Sequence, residues 1–261
     1  AGRPFFCYLP LNVVHGPQWA PAELRDEVAR RFPQLSAGQV GYLAMLANAD
    51  ANMGKLEAFL RKSGMRENTI VVFLSDNGGY ALVGRYNAQM RDGKSRLAEG
   101  GHRVPCFLRW PQGGVGGDGR GRDVDGLTQV QDLTPTLLEW CGARALPGPP
   151  LDGISLAGAL AGRGAIPDRT LIVQYGPPEP FRMTCVMRGR WRLLSDVKGA
   201  AKGLPELYDL ARDPLQKQNL IGVEKSRAAE MREAAAMLEQ LGLDPTLRSE
   251  EHTSELQSPC N

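Results

Sequence analysis

One segment constrains this chain more than any other. Thr69 to Leu74 reads Thr-Ile-Val-Val-Phe-Leu, and it stops abruptly at Ser75-Asp76-Asn77-Gly78-Gly79. β-Branched and aromatic side chains suit a pleated strand. A run that is apolar at every position predicts a strand covered on both faces, as at the centre of an α/β sheet. The Asp-Asn-Gly-Gly that follows is good turn chemistry. In an open α/β sheet, ligands collect beyond the carboxyl ends of the strands, which is where this turn would stand.

The flanking segments extend the pattern. Residues 5–9, Phe-Phe-Cys-Tyr-Leu, are a short continuous apolar run and predict a second buried strand. Residues 10–22 hold three prolines and a glycine and predict a loop carrying His15. From about Gln39 to Lys62, Leu43, Leu46, Ala49, Met53, Leu56 and Leu60 recur at helical spacing, with Gly64 as a stop. Val104 to Trp110 is another strand candidate. Thr134-Pro135 has the chemistry of a helix start, with the end at Gly142. This order predicts an α/β fold with a mostly parallel sheet. Leu171–Tyr175, Thr184–Arg188 and Trp191–Ser195 then read as short strands, the last two joined by a hairpin at Gly189-Arg190. Residues 206–210 add a strand and 224–241 a helix rich in Ala and Glu. The expectation is a first domain over residues 1–165 and a small antiparallel α+β lobe over 166–247.

Composition narrows the functional classes. The net charge is +2 and the basic residues form no runs, so nothing favours nucleic acid. No apolar stretch reaches the roughly 18 residues of a membrane span. The five cysteines form no C-x-x-C pair and match no zinc spacing. Cys7 and Cys106 lie in apolar runs and are expected to be buried free thiols. Residues 248–261 share no pattern with what precedes them and resemble a translated sequencing-library adapter; without them the net charge moves from +2 to +4. The chain opens on Ala1 and on a core-type strand at residues 5–9, so upstream sequence is expected.

Three positions carry candidate chemistry. Asp76 and Asn77 offer a carboxylate and an amide oxygen, hard ligands suited to Ca²⁺ or Mg²⁺. The glycines after them allow a tight turn and a close approach of backbone to ligand. His15, just past a strand end, is placed to donate a hydrogen bond to an anion or to protonate a leaving oxygen. Lys94, beside Gly93, is placed to aim a positive charge at an anion. Each has a plainer reading, as an ordinary turn, a structural histidine or a solvated lysine. No Walker pattern is present, and the Gly-rich stretch 113–121 has no lysine.

Taken together and in order, these blocks resemble the type I sulfatases of the alkaline-phosphatase-like superfamily. The blocks are Asn12-Val-Val-His15-Gly-Pro17, Asn68 through Gly79, and Gly93-Lys94-Ser-Arg-Leu-Ala-Glu99-Gly-Gly-His-Arg103-Val-Pro105 with Arg109-Trp110-Pro111. Asp132-Leu-Thr-Pro135, Asp152-Gly153, Glu206-Leu-Tyr208, Asp213-Pro214 and Asn219-Leu220 complete the set. The resemblance covers nearly all of residues 4–221. It implies a partial α/β/α sandwich and hydrolysis of an aryl or carbohydrate sulfate ester by the full-length enzyme. Asp76 and Asn77 would complete a divalent cation site, usually Ca²⁺, and His15 and Lys94 would act as catalytic contacts to the sulfate. The family nucleophile is formylglycine in a C/S-x-P-x-R motif, expected upstream of this sequence, so the chain alone is expected to be inactive. Asp92 stands where a second glycine is common. A phosphodiester or phosphonate hydrolase of the same superfamily, or a non-catalytic relative binding anionic glycans, are the alternatives. Residues 176–183, with Phe181 and Arg182, are candidates for the pocket rim. The family resemblance also implies export, to periplasm, cell exterior or lysosome; oligomeric state is not read.

Overall fold

The computed structural model describes residues 3–79, 87–117, 119–175, 183–196 and 203–240. The adapter-like tail and the rim residues Phe181 and Arg182 lie outside the described residues. Two compact units divide between Thr69 and Ile70.

The first unit is built on two helices, α1 (Ala22–Arg31) and α2 (Ala37–Lys62). α2 is the helix that the apolar spacing predicted. Its start is set by Ser36, whose hydroxyl accepts from Gln39 N while the Gln39 side chain accepts from Ser36 N. That reciprocal pair satisfies two amides that the helix itself leaves orphaned. Past its end Gly64 adopts φ 71°, a conformation that glycine takes freely. Val28 of α1 packs with Val40, Ala44 and Met45 of α2, and Val13 and Val14 from the preceding loop lean on that cluster. α1 was not anticipated, although Leu24 and Val28 are spaced for one helix face.

Residues 5–9 do not form the expected buried strand. They carry no regular structure, and Phe5, Phe6, Tyr8 and Leu9 are exposed. Their hydrophobicity suits a covered position, but no strand among the described residues pairs with them. Cys7 is accordingly an exposed thiol, as is Cys106, against expectation.

The second unit opens with β1 (Val71–Leu74), which pairs with β2 (Cys106–Arg109). The pairing is antiparallel, Val71 opposite Arg109 and Leu74 opposite Cys106. This corrects the expected parallel arrangement for these two strands. A parallel return needs a crossover that brings the chain back to the other end of the first strand, usually a helix. Here Leu74 at the end of β1 faces Cys106 at the start of β2, and among the described residues between them the one helix is the single turn α3 (Glu99–His102). β1 is also not covered on both faces, since Phe73 and Leu74 are 39% and 38% exposed. β2 leads into a cluster of Val115, Leu156 and Leu160 with Trp110 and Trp140, whose rings lie 5.5 Å apart. α4 (Leu133–Trp140) starts two residues earlier than Thr134-Pro135 suggested, directly after a 3-10 turn over Val130–Asp132 in which Asp132 accepts from Gln129 N at 2.8 Å. α5 (Ala157–Leu160) follows.

The antiparallel lobe is as the strand patterning predicted. β3 (Thr170–Tyr175), β4 (Met183–Arg188), β5 (Trp191–Asp196) and β6 (Glu206–Asp209) form one sheet in sequence order, and α6 (Lys225–Gln240) follows. Alternate residues on a strand face opposite sides. Val186, Leu193 and Leu207 pack under Ala228 and Met231 of α6. Cys185, Met187, Leu194 and Tyr208 face the other way and pack with Leu97 and Ala98. The second face of the sheet is therefore covered by the segment that immediately follows Lys94.

Cys185 is fully buried on that face, and desolvation pushes its thiol up to about 12. Thiol labelling of the native protein at pH 8, mapped by mass spectrometry, is expected to modify Cys7 and Cys141 readily and to leave Cys185 unmodified until the protein is denatured. Rapid native labelling of Cys185 would contradict this packing.

Candidate functional site

His15 belongs to the first unit and is exposed. Its amide donates to Asn12 O at 3.1 Å, and its Nδ1 lies 2.8 Å from Gly16 O. A carbonyl can only accept, so Nδ1 carries the proton and Nε2 is the nitrogen left to meet a ligand. The loop is held against the two helices by Val13 and Val14, and Gly41 of α2 leaves room for Gln18, whose Cβ would stand 3.0 Å from a Cβ at Gly41.

Asp76, Asn77 and Lys94 belong to the second unit, and its backbone brings them together. Ser75 N donates to Pro105 O at 3.3 Å and so continues the β1–β2 pairing by one step. Asp76 is exposed and its Oδ1 accepts from Asn77 N at 2.8 Å. Gly78 N then donates to Gly101 O at 2.8 Å, and Lys94 N donates to Gly79 O at 3.0 Å. The Asp-Asn turn, the lysine loop and α3 are thus stitched into one assembly at the open end of the β1–β2 pair. The approach is so close that a Cβ on Gly78 would fall 1.8 Å from Gly100 O, and one on Gly101 2.0 Å from Arg96 O. Backbone atoms on both sides cannot yield as a flexible side chain does, so these positions require glycine. Lys94 is half-buried, with its backbone fixed. Asp92 adopts φ 61°, the left-handed region where glycine is comfortable and aspartate is tolerated. That explains why this position differs without breaking the loop.

Sequence reasoning did not single out the charged residues that hold this assembly. Glu99, at the start of α3, is 2% exposed. Its Oε1 accepts from Arg192 Nε of β5 at 2.7 Å, and its amide donates to Gln216 Oε1 at 2.8 Å. His102 Nε2 and Arg103 Nη1 each lie 3.5 Å from its carboxylate. Arg91 reaches Glu206 of β6 through two nitrogens, at 2.7 and 3.2 Å, and meets the Tyr208 hydroxyl. Glu99 lay inside a recognised block, but its partner is 93 residues away in sequence. No local spacing reveals such a pairing.

The donor set at the turn fits a hard cation. A carboxylate and an amide oxygen side by side are oxygen ligands of the kind Ca²⁺ and Mg²⁺ take. Asp76 keeps one carboxylate oxygen outside its own turn bond, and no described hydrogen bond engages the Asn77 side chain. Together they could supply at most two of the six to eight oxygens that Ca²⁺ takes. Among the described residues no further cluster of three or more His, Cys, Asp or Glu stands ready to hold a metal.

Comparison with known proteins decides the family. The sulfatase family profile matches residues 1–143. The chain belongs to the sulfatase family. It is 29% identical to human arylsulfatase A over 265 residues, covering 92% of this chain and 48% of that protein. It is 32% identical to the dog N-acetylgalactosamine-6-sulfatase over 182 residues, covering 67% of this chain and 32% of that protein. Among solved structures it is similar to Ps i-CgsB in complex with k-i-k-neocarrahexaose, with a TM-score of 0.78 and 27% identity over 94% of this chain and 51% of that one. This sulfatase chain thus spans about half the length of the relatives that it matches over most of its own. The likeness places the two units within an alkaline-phosphatase-like α/β fold. No helix among the described residues is long and apolar enough to cross a membrane.

Burial raises the Glu99 carboxyl, and the His102 and Arg192 side chains more than reverse this, bringing it from the ordinary 4.5 down to about 2. A depressed folded-state value stabilises the fold above the unfolded value and loses that contribution as pH falls through the folded one. The window therefore runs from about pH 4.5 to about pH 2, and the linked stability is about 3 kcal/mol. Urea unfolding at pH 6 and pH 2.5 is expected to show a larger acid loss for the native sequence than for Glu99→Gln, by roughly that amount. Equal losses would contradict the pairing.

Proposed function

We propose that the complete protein hydrolyses a sulfate ester of a carbohydrate or aryl alcohol, with Asp76 and Asn77 as cation ligands and His15 and Lys94 as contacts to the sulfate. The observation that carries the reading is the backbone assembly joining the Asp76-Asn77 turn to Lys94 in a chain of the sulfatase family. The names of two relatives support the carbohydrate class: an N-acetylgalactosamine-6-sulfatase, and a structure bound to a neocarrahexaose. In this reading residues 1–165 belong to the catalytic domain and 166–247 form the supporting lobe. The protein works in an exported or lysosomal setting.

A sulfate ester resists attack because its oxygens repel a nucleophile. Ca²⁺ held at Asp76 and Asn77 would neutralise part of that charge. Lys94, with its backbone fixed through Gly79, places an ammonium against a sulfate oxygen, where it stabilises the charge that builds as the S–O bond breaks. His15, with Nδ1 committed to Gly16 O, presents Nε2. In its protonated form it gives that proton to the departing alcohol oxygen. No Cys or Ser of this sequence begins a C/S-x-P-x-R pattern. The nucleophile, formylglycine by resemblance to the family, is therefore assigned to the part of the relatives' length that this chain does not span.

The protein expressed from its whole reading frame is expected to cleave a chromogenic aryl sulfate in the presence of Ca²⁺ far faster than the matching aryl phosphate. Lys94→Ala is expected to lower kcat/KM by about 10²–10³. His15→Ala is expected to lower it by about 10²–10⁴, most strongly for esters with poor leaving groups. A preference for the phosphate would favour a phosphoryl hydrolase instead. Turnover unchanged by Lys94→Ala would remove Lys94 from the site.

A further inference from the structure

Among the described residues, two of the charged contacts that the lobe makes with the rest of its unit run to Arg91 and Glu99. From β5, Arg192 is 7% exposed and meets Glu99, which is 2% exposed. From the segment after β6, Gln216 holds the Glu99 amide and itself adopts φ 53° to do so. From β6, Glu206 and Tyr208 grip Arg91, and the Arg91 carbonyl accepts from Gly100 N at 2.9 Å. Leu97 and Ala98, between the two grips, are buried in the sheet's core. On the far side of this segment, Gly101 O holds Gly78 N, while Lys94 N is bonded to Gly79 O. Hydrogen bonds, joined by the short main chain of α3, thus connect the sheet through Glu99 and Arg91 to the turn carrying Asp76 and Asn77.

We infer that Glu99 is a positioning residue: through Arg192 and Gln216 it fixes α3, and α3 in turn holds the Asp76-Asn77 turn and the Lys94 loop in register. Arg91, clamped by Glu206, is the second anchor of the same device. An apolar contact alone would let the segment slide. A carboxylate held by an arginine from one side and bonded through its own amide on the other has a single geometry. The surrounding groups suit that role. Arg103 and His102 also stand against the carboxylate, and the two ring nitrogens of His102 are buried without a well-directed hydrogen bond. The functional consequence rests on the reading of Asp76, Asn77 and Lys94 given above, but the mechanical coupling does not.

The test uses the protein from its whole reading frame and compares it with Glu99→Gln, Arg91→Gln and Arg188→Gln. Arg188 pairs with Glu230 at 2.8 Å, away from the loop, and controls for general loosening of the lobe. Amide hydrogen exchange is read at Gly78 and Lys94, and Ca²⁺ affinity is read by calorimetry without substrate. Glu99→Gln is expected to speed exchange at Gly78 and Lys94 by about tenfold or more while Val186 and Leu193 keep their protection. It is expected to weaken Ca²⁺ binding by about 10–100-fold, as loss of groups that orient metal ligands does. Arg188→Gln is expected to change neither. Unchanged exchange at Gly78 and Lys94 in Glu99→Gln, or an equal rise in Arg188→Gln, overturns the inference. Should Glu99→Gln fail to fold, Arg91→Gln carries the same test, with faster exchange at Lys94 expected and no change overturning it. Faster exchange in a protein that binds no Ca²⁺ even in its native form supports the positioning role and removes the cation reading alone.

Discussion

The second unit is organised around one buried charge. Glu99 sits at the junction of the four-stranded sheet and the loop that carries Lys94, and it is matched there by Arg192 at 2.7 Å. A carboxylate in such surroundings costs several kcal/mol unless it is paired and hydrogen-bonded, and removing one partner strands the other. Contact between the lobe and the loop therefore supplies each of these charges with its shortest charged partner. The apolar side chains around the pair, Leu97, Ala98, Cys185, Leu194 and Tyr208, supply the cohesion; the charges supply the register. From that junction the order passes outward through Gly100 and Gly101 to a turn that is otherwise exposed. The glycines matter because they let two backbones meet at hydrogen-bond distance, so that the turn is fixed by main chain, with one Asp76 carboxylate oxygen outside its turn bond to Asn77 N.

The lobe was legible from the sequence because its signals are local. β3 to β6 alternate between two buried faces, the hairpin has Gly189 at its turn, and α6 follows a composition change. α2 was legible for the same reason, with apolar residues at helical spacing and a glycine stop. The β1–β2 pair was misread because strand direction is not a local property: an apolar run says that a strand will be covered, not by what or in which sense. The same gap explains residues 5–9, whose hydrophobicity was read correctly and whose burial was not. At the candidate site, Asp76, Asn77 and Lys94 were singled out by residue chemistry and by the ordered blocks that resemble the family. Glu99, Arg91 and Arg192 were missed because a charged residue looks like solvent-facing charge until its distant partner is known.

Family membership and local geometry support each other without being the same argument. The family profile matches residues 1–143, yet side chains that contact Arg91 and Glu99 come from beyond it, at Arg192, Glu206 and Gln216. The lobe is thus tied to the site by structure where the family profile is silent. Asp92 makes a similar point. It departs from a glycine common in the family, and its φ of 61° shows the loop keeping the glycine-like conformation under a different side chain.

The central claim is that the Asp76-Asn77 turn and Lys94 form one side of a cation and sulfate site. A crystal structure of the protein from its whole reading frame, grown with Ca²⁺ and a sulfated oligosaccharide, addresses it most directly. The account predicts Ca²⁺ with oxygens of both Asp76 and Asn77 at about 2.3–2.6 Å. It also predicts the Lys94 ammonium within hydrogen-bond reach of the sulfate. A cation bound elsewhere, with Lys94 pointing to solvent and the sulfate away from this turn, would contradict it.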